Sequence, residues 1–450
     1  MTRSVLIVTP FFAPQNHSAM FRAYKLAKYL PQFGWKPIVL TVGTQYQYNE
    51  DPSLIPDLPQ EVEVVRAPYV EPTLRGLRMA LGGRDRTFKA MKGNCTAQPS
   101  AASPRNPGAR RAYEYVVTNW LQIPDAYWTW AKTATAIGST IIRDRHIEVV
   151  YTTAPPYSSL VIGKALQTTG VKWVSDFRDP LAYTQRLSSN TARSYQRQRN
   201  IVKTALANAD AVTVAASSFG SIYHDMFGKR GVDPVFIPTG MDAALIGPEP
   251  DDVEARSPYL MFAGEYLPDY DPAFLEAFAA ALKYPEVKQT GIKLLVVGTL
   301  ELNRARLMPL LDKFELREHV EFMDQKPQRE VYKLLKRARA GMLIPGTRAY
   351  WWTTFAKMTD CIGMRKPVVA IVPDPSEART ALTRSRLGIF LDGSAERRVQ
   401  ILRDFLLGKY QMPAPDEAEC DRYTARRQVQ SFAEIFESLT KPKAMSASVQ

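Results

Sequence analysis

The sequence predicts an α/β protein built from two Rossmann-like domains. Short runs of β-branched and apolar residues alternate with helical stretches, which is typical of parallel α/β sheets. This series starts near Val5 and starts again around residues 234–240. The length of 450 residues leaves room for two or three domains. We therefore predict two domains joined near residue 238 that face each other across a cleft, where ligands of such sheets bind.

The first domain is predicted to span residues 1–238. It opens with a strand at 5–9, because an unbroken β-branched run indicates a strand that is covered on both faces. Apolar residues recur at helical spacing over 18–30, and Gly34 follows at the position where a helix stop is expected. Further strands are predicted at 37–41, 148–152, 172–175 and 211–215.

The second domain is predicted to span residues 239–415. The pattern restarts at 234–240, where PVFIPTG reads as a strand that ends in a loop. A helix within 416–440 is expected to follow, and the tail 441–450 is expected to be disordered. The other strands are predicted at 259–263, 292–297, 320–322, 341–344 and 367–372, with helices at 272–281 and near 329–337.

Composition excludes several classes of protein. The chain is 45% hydrophobic and 23% charged, as expected of a globular protein. The sequence contains no run of about 18 apolar residues, so it predicts no membrane-spanning helix. The apolar stretch after Arg3 is too short for a signal peptide, so we expect a cytoplasmic protein. Three widely spaced cysteines and four histidines without an HExxH pair predict neither a disulfide framework nor a zinc site.

The positive charge is concentrated in the first half of the chain. Residues 1–238 contain 28 Lys/Arg and 16 Asp/Glu, a net charge of +12, whereas the rest contains 30 and 29, a net charge of +1. A basic surface attracts phosphate groups on nucleic acids, lipids or phosphorylated substrates. The alternative is a charge bias that serves solubility alone.

A basic insertion at residues 71–113 interrupts the first domain. It contains nine Lys/Arg against Glu71 and Asp85, with apolar residues interleaved over 74–91. The segment 74–92 therefore fits a basic amphipathic helix that lies on an anionic membrane. The Ser/Pro/Gly-rich part that follows predicts a mobile loop. A plain surface insertion with a solvated charge run explains the pattern equally well.

A series of short motifs resembles the family 4-like glycosyltransferases of the GT-B fold over about residues 4–440. Each motif is weak alone, but their order and spacing together are specific for the superfamily, although not for one sugar. The motifs are LIVTPFFAP with SAMFR, PD at 124–125, TTAPPYSS at 152–159, DFRDP at 176–180, IPTGMD at 237–242, FAGEY at 262–266, VVG at 296–298 and KMTDCIGMRKPVVA at 357–370.

The second domain carries the residues expected to bind a nucleotide-sugar donor. Lys357 and Asp360 lie one helical turn apart and could hold the diphosphate and the ribose, although an exposed ion pair is the alternative. In the resembled family an acidic residue at the Asp360 position binds ribose, and a second one eight residues earlier is replaced here by Trp352. Gly264 is expected to let backbone N–H groups approach phosphate. The Arg and Lys that follow this glycine in many relatives are missing, and Arg304, Arg306 or Arg348 could substitute.

The first domain carries the residues expected to act on the acceptor. The DFRDP motif is predicted to follow the strand 172–175, and Asp179 or Asp176 could orient or deprotonate an acceptor hydroxyl. Alternatively, a carboxylate there holds Arg178 in an ion pair. Ser18, Arg22 and Arg178 are the predicted acceptor-binding residues, with a helix N-cap as the alternative for Ser18.

The sequence thus predicts a glycosyltransferase that uses a nucleotide-diphosphate sugar as co-substrate. The resemblance implies a retaining transfer without a metal or other cofactor. The carboxylates of DFRDP are also three residues apart, not two as in a DXD metal motif. The basic first domain suggests a lipid-linked or surface-polysaccharide acceptor at an anionic membrane surface. A nucleotide-sugar epimerase and a degenerate binding or scaffold subunit of the same fold stay open as alternatives. No motif supports a nucleic-acid partner.

Overall fold

The computed structural model describes residues 3–441 except residue 17 and residues 44–49, 74–75, 77–114, 184–190 and 247–257. Most of the predicted basic insertion and nearly all of the predicted tail therefore lie outside the described residues. The chain forms two compact units, one of residues 1–237 with 429–450 and one of residues 238–428.

The first unit contains a seven-stranded parallel sheet with strand order β3-β2-β1-β4-β5-β6-β7. Strand β1 lies between β2 and β4, so the strand order reverses there and the loops after β1 and β4 diverge. The strands are β1 Arg3–Val8, β2 Trp35–Val42, β3 Glu63–Ala67, β4 Val149–Ala154, β5 Lys172–Phe177, β6 Ala211–Val214 and β7 Val235–Phe236. Its first helices are α1 Phe21–Tyr29, α2 Trp128–Asp144, α3 Tyr157–Gln167, α4 Ala192–Asn208 and α5 Ser218–Phe227.

The second unit contains a six-stranded parallel sheet with strand order β10-β9-β8-β11-β12-β13, and its order reverses between β8 and β11. The strands are β8 Tyr259–Ala263, β9 Lys293–Val297, β10 Val320–Met323, β11 Ala340–Leu343, β12 Val368–Ala370 and β13 Gly388–Phe390. The helices are α6 Ala273–Leu282, α7 Pro285–Lys288, α8 Leu300–Lys313, α9 Gln328–Arg337, α10 Ala356–Gly363, α11 Glu377–Arg384, α12 Ala395–Leu406 and α13 Glu417–Asp421.

The last helix, α14 Ala425–Thr440, completes the core of the first unit. The side chains of Phe432 and Phe436 are fully buried and meet the Tyr151 ring edge to face, with ring centroids 5.2 Å and 6.4 Å away. Such aromatic pairs contribute about 0.5–1.5 kcal/mol beyond the area that they bury. The chain therefore enters the first unit twice, and residues 416–428 still belong to the second unit.

The predicted fold class is confirmed, but several element boundaries are wrong. The strand within 234–240 pairs with β6 and so closes the first sheet, whereas the sequence pattern suggested the start of a second series. Strands β3 and β13 were not predicted, since one is only partly buried and the other has three residues. Helix α1 begins at Phe21 after Met20, so Ser18 is not its N-cap. Among the helices that the structure describes, none is long and apolar enough to cross a membrane.

Candidate functional site

A tight glycine turn follows β8 at the point where the order of the second sheet reverses. Gly264 has φ +122°, a conformation that L side chains rarely adopt. Its N–H donates to the carbonyl of Val297 at 2.8 Å, and its carbonyl accepts from the Asn303 side-chain amide at 2.9 Å. A Cβ on Gly298 would lie 2.3 Å from the Gly264 carbonyl oxygen, so the two turns pack directly on each other. Gly298 thus shapes the turn.

The ammonium group of Lys357 lies against this glycine turn. Lys357 is in the first turn of α10, and its Nζ atom is 3.8 Å from the centroid of the Phe262 ring. A Cβ built on Gly264 would lie 3.4 Å from the same Nζ atom. No carboxylate of a described residue lies within ion-pair distance of Lys357. Burial without an anionic partner lowers the pKa of this lysine to about 7.

The N-terminus of α10 adds further groups that suit an anion. No side chain caps this end, and its first turn contains no acidic residue. Thr353, three residues before the helix, has a buried hydroxyl group without a hydrogen-bond partner among the described residues. Exposed N–H groups and the helix dipole favour negative charge here. The helix begins at Ala356, so this end lies beside Lys357.

Asp360 points to a different neighbour from Lys357. Its carboxylate accepts a hydrogen bond from the hydroxyl of Tyr332 at 2.9 Å. Burial and the adjacent carboxylate raise the pKa of the Tyr332 hydroxyl well above its ordinary value. Lys357 and Asp360 therefore do not form the surface ion pair that the sequence left open. Asp360 keeps some exposed surface, and its ribose-binding role stays a prediction.

The three arginines considered as substitutes for the missing diphosphate cations lie in different settings. Arg306 donates to the carbonyl oxygen of Tyr266 at 2.8 Å and so holds the turn after Gly264. Arg304 lies over the Phe322 ring, with 5.7 Å between its guanidinium carbon and the ring centroid. Arg348 is exposed on a short 3-10 turn between β11 and α10. The cation that lies beside Gly264 itself is the Lys357 ammonium.

In the first unit, Arg22 and Asp176 form a buried ion pair. Arg22 is 1% exposed and Asp176 is fully buried, and two N–O contacts of 2.8 Å join them. Burial alone would raise the pKa of the Asp176 carboxyl, but Arg22 and the hydroxyl donors bring it below its ordinary value. Arg22 also donates to the Ile237 carbonyl at 3.0 Å. The other donors to the carboxylate are the hydroxyls of Tyr151, Thr153 and Thr213, at 2.7–2.8 Å.

This ion pair bears on two of the site predictions, Asp176 and Arg22. Strand β5 continues to Phe177, so Asp176 lies within the strand and not after it. Its oxygen atoms accept five hydrogen bonds away from solvent, and a carboxylate in that setting cannot reach an acceptor hydroxyl. Arg22 is equally enclosed, because it lies against the Phe432 ring, 5.1 Å from its centroid. Both residues are therefore placed to hold the first unit together, and their enclosure argues against direct contact with a substrate.

Arg178 connects the loops at the point where the order of the first sheet reverses. Its guanidinium donates to the backbone carbonyl groups of Ala19, after β1, and Pro155, after β4. Burial lowers the pKa of this guanidinium despite the nearby Asp179 and Asp176 carboxylates. Its Nε atom is buried and has no partner among the described residues. Arg178 is therefore placed to fix both loops, with one donor left to use.

Asp179 follows β5 on a loop that tyrosine hydroxyl groups hold in place. The backbone N–H groups of Leu181 and Ala182 donate to the hydroxyls of Tyr223 and Tyr157, each at 2.9 Å. Ala182 is fully buried with φ 60°, which is a strained conformation for alanine. Asp179 itself is half-buried at the carboxyl end of the sheet. Its catalytic role stays a prediction, as does acceptor binding by the exposed Ser18.

Sequence reasoning missed several residues that build these sites. Phe262 contacts Lys357, Asn303 holds the glycine turn, and Tyr332 donates to Asp360. Each of these residues lies far from its partner along the chain. Thr353 gives a weak signal, as a hydroxyl residue shortly before a helix that contains Lys357 and Asp360. Within the part of the chain that the structure describes, no cluster of three or more His, Cys, Asp or Glu side chains could hold a metal ion.

Comparison with solved structures identifies the architecture. A sucrose-phosphate synthase from Thermosynechococcus elongatus is 15% identical, with 96% of each chain covered and a TM-score of 0.55. A glycosyltransferase from Rickettsia africae is 14% identical, with 98% of this chain and 99% of that chain covered and the same TM-score. The chain has the GT-B fold. The neighbours share the fold across nearly their whole length, so the two parallel sheets correspond to the two GT-B domains.

A candidate UDP-N-acetylglucosamine 2-epimerase from Listeria monocytogenes has a similar structure, with a TM-score of 0.53 and 9% identity. The match covers 97% of this chain and 96% of that chain. No protein-family profile matches the sequence. No curated protein matches it either. Membership of the family 4-like group therefore stays a prediction.

Proposed function

We propose that this protein is a glycosyltransferase that moves a sugar from a nucleotide-diphosphate sugar to an acceptor. The second unit binds the donor, and the first unit binds the acceptor. One observation carries the proposal: the Lys357 ammonium lies against the Gly264 turn without a carboxylate partner. A partly desolvated cation in that state is unfavourable unless an anion joins it. The donor diphosphate is such an anion.

The leaving diphosphate is stabilised by two features of the same site. Lys357 supplies the cation that is missing after Gly264, and the uncapped N-terminus of α10 supplies N–H donors and the positive end of a helix dipole. Preorganised groups of this kind stabilise the charge that develops on the leaving group. Asp360 is positioned for the ribose hydroxyls. We further propose that transfer is metal-independent and retains the anomeric configuration.

On the acceptor side, Asp179 is the carboxylate best placed at the carboxyl end of the first sheet, since Asp176 is enclosed. Arg178 fixes the loops around it. The basic first half of the chain favours a lipid-linked or otherwise phosphorylated acceptor, such as a precursor of a surface polysaccharide. We propose a cytoplasmic protein that binds peripherally to an anionic membrane surface.

Thermal unfolding with a panel of UDP-, GDP-, dTDP- and ADP-sugars tests the donor site. A ligand at 100 times its dissociation constant should stabilise the protein by about 2.7 kcal/mol. Lys357→Ala and Asp360→Ala should each weaken binding of the active donor about tenfold to a hundredfold, because each removes a charge-assisted bond. Lys313→Ala is the matched control, since Lys313 is exposed and also lies over a phenylalanine ring, that of Phe314.

The same panel separates the alternatives. If no nucleotide sugar stabilises the protein, the scaffold interpretation is favoured and the donor site is wrong. If a donor binds and is converted into its epimer without an acceptor, the epimerase interpretation is favoured; it shares the fold with the Listeria monocytogenes neighbour. Unchanged donor affinity in both the Lys357 and Asp360 variants would remove these residues from the site.

A further inference from the structure

Large apolar side chains are exposed together at one end of the first unit. Trp120 is 68% exposed, Tyr115 is 58% exposed and Trp128 is 45% exposed. A group of this size on a protein surface marks an interaction site more often than a chance exposure. We name as the aromatic patch the residues Val70, Tyr115, Val116, Trp120, Leu121 and Trp128.

The members of the aromatic patch are held beside one another. The indole N–H of Trp128 donates to the Leu121 carbonyl at 2.6 Å, which joins the start of α2 to the π-helical turn Val117–Leu121. The hydroxyl of Thr129 donates to the Val70 carbonyl at 2.6 Å, which brings in the segment after β3. Val116 and Trp120 lie four residues apart on one helical segment and so share a face.

The base beneath the aromatic patch is well packed. The ring of Tyr127, next to Trp128, stacks on Tyr69 with centroids 5.2 Å apart and meets the edge of Phe11 at 5.5 Å. The Tyr69 hydroxyl donates to the Ala126 carbonyl at 3.0 Å. Phe11 in turn lies under the Arg178 guanidinium, whose central carbon is 5.9 Å from the ring centroid. The aromatic patch is therefore continuous with the loops around the proposed acceptor site.

We propose that the aromatic patch is the surface by which this protein inserts into the headgroup region of an anionic lipid bilayer. Trp and Tyr favour that region because their rings are amphipathic. Charge complementarity favours an anionic surface, because residues 74–92, between Val70 and Tyr115 in the sequence, contain six Lys/Arg and one acidic residue.

This inference rests on the peripheral membrane binding in the proposed function, since it names the surface that makes the contact. Vesicle binding itself requires no sugar transfer. Within the described residues, the aromatic patch contains every tryptophan that counts as exposed, since Trp35, Trp130 and Trp173 are buried and Trp351 and Trp352 are half-buried. An exposed tyrosine in the second unit, Tyr284 at 38%, offers a matched site away from the patch.

Co-sedimentation with vesicles tests the proposal on the full-length protein. We expect binding to vesicles rich in phosphatidylglycerol and little binding to pure phosphatidylcholine. The double variant Trp120→Ser/Trp128→Ser should lower the partition coefficient at least about tenfold, because two exposed rings no longer insert. Tyr284→Ser should bind as the parent does. Tryptophan emission of the parent should shift to shorter wavelength with anionic vesicles, and the double variant should lose that shift.

Two results would overturn the proposal. One is equal vesicle binding by the parent and the double variant. The other is a parent that ignores vesicles but forms a dimer that the double substitution dissociates, because the patch is then an interface between copies. Thermal stabilisation by the nucleotide sugar, measured on the double variant, keeps the test separate from the proposed function. A retained donor response also shows that this variant is folded.

Discussion

At the scale of single residues, the most informative group is the Lys357 ammonium. The sequence lacks the Arg and Lys that follow the corresponding glycine in the resembled family, which suggested a weakened diphosphate site. The structure shows a lysine from another element, α10, at that glycine. Because α10 follows β11, and β11 is adjacent to β8, the cation reaches the turn across the reversal point of the sheet. The proposed diphosphate site therefore takes its cation from a different position in the sequence.

The low pKa of Lys357 predicts a pH-dependent donor affinity. The pKa is about 7 without an anion, and a bound diphosphate raises it by favouring the charged amine. The affinity for the donor should therefore be highest below pH 7, where Lys357 is already protonated in the free enzyme. As the pH rises above 7, affinity should fall by up to about tenfold per unit until the pKa of the bound state is reached, because the free enzyme must take up a proton on binding. Calorimetric titration between pH 6 and 9 measures this dependence.

Lys357→Arg is the control for that dependence, since a guanidinium stays charged throughout the range. Its affinity should be flat with pH, whatever its absolute value. A nucleotide sugar must be used in place of the free nucleoside diphosphate, whose terminal phosphate titrates near neutral pH. A parent enzyme whose affinity is constant from pH 6 to 9 would show that this amine does not face the diphosphate.

At the scale of elements, the Arg22–Asp176 pair joins helix α1 to strand β5, and Tyr151 and Thr213 add strands β4 and β6. The sequence placed Asp176 in the substrate site because its motif follows a predicted strand, and Arg22 because its motif matches that of the resembled family. The prediction ended this strand at residue 175, whereas the strand continues to Phe177. Asp176 was therefore predicted at the edge of the sheet, although it lies in the interior. Side-chain pairing across 154 residues of chain gives no local signal.

The element boundaries show where sequence patterns are sufficient. Long apolar runs such as β1 and β9 are recovered within one or two residues, because burial on both faces demands them. The start of helix α10 is not predicted, since no capping side chain marks it. The glycine turn and Lys357 were predicted as separate features. Their proximity depends on the strand order, which the sequence pattern does not contain.

A stability measurement distinguishes the two roles considered for Arg22. Arg22→Ala leaves the Asp176 carboxylate buried without its partner, which should lower the free energy of unfolding of the first unit by about 3–5 kcal/mol. Denaturant titration measures the loss. The control is Arg143→Ala, since Arg143 pairs with Asp144 on the surface and should change stability by less than about 1 kcal/mol. If Arg22→Ala instead kept its stability and raised only the KM for acceptor, the acceptor-binding prediction would be right after all.

At the scale of the whole molecule, each unit has its own sheet with one reversal point, and the candidate groups gather at those two points. In the second unit these groups are suited to an anion: Lys357, the α10 N-terminus and the buried Thr353 hydroxyl. In the first unit they are a half-buried carboxylate, Asp179, and a guanidinium with one spare donor, Arg178. This division assigns the leaving group to one unit and the acceptor hydroxyl to the other.

That division also predicts how the enzyme responds to chelators. Stabilisation of the leaving diphosphate is assigned to Lys357 and the helix dipole, so no divalent cation is required for it. Sugar transfer should therefore proceed at an unchanged rate after dialysis against EDTA, while Lys357→Ala should lower kcat/KM by about tenfold or more under the same conditions. Initial rates with the identified donor and acceptor, with and without Mg²⁺ or Mn²⁺, provide the measurement. If EDTA abolished activity and Mg²⁺ or Mn²⁺ restored it, the diphosphate would be held by a metal, and the role given to Lys357 would have to be shared with ligands that neither sequence nor fold has revealed.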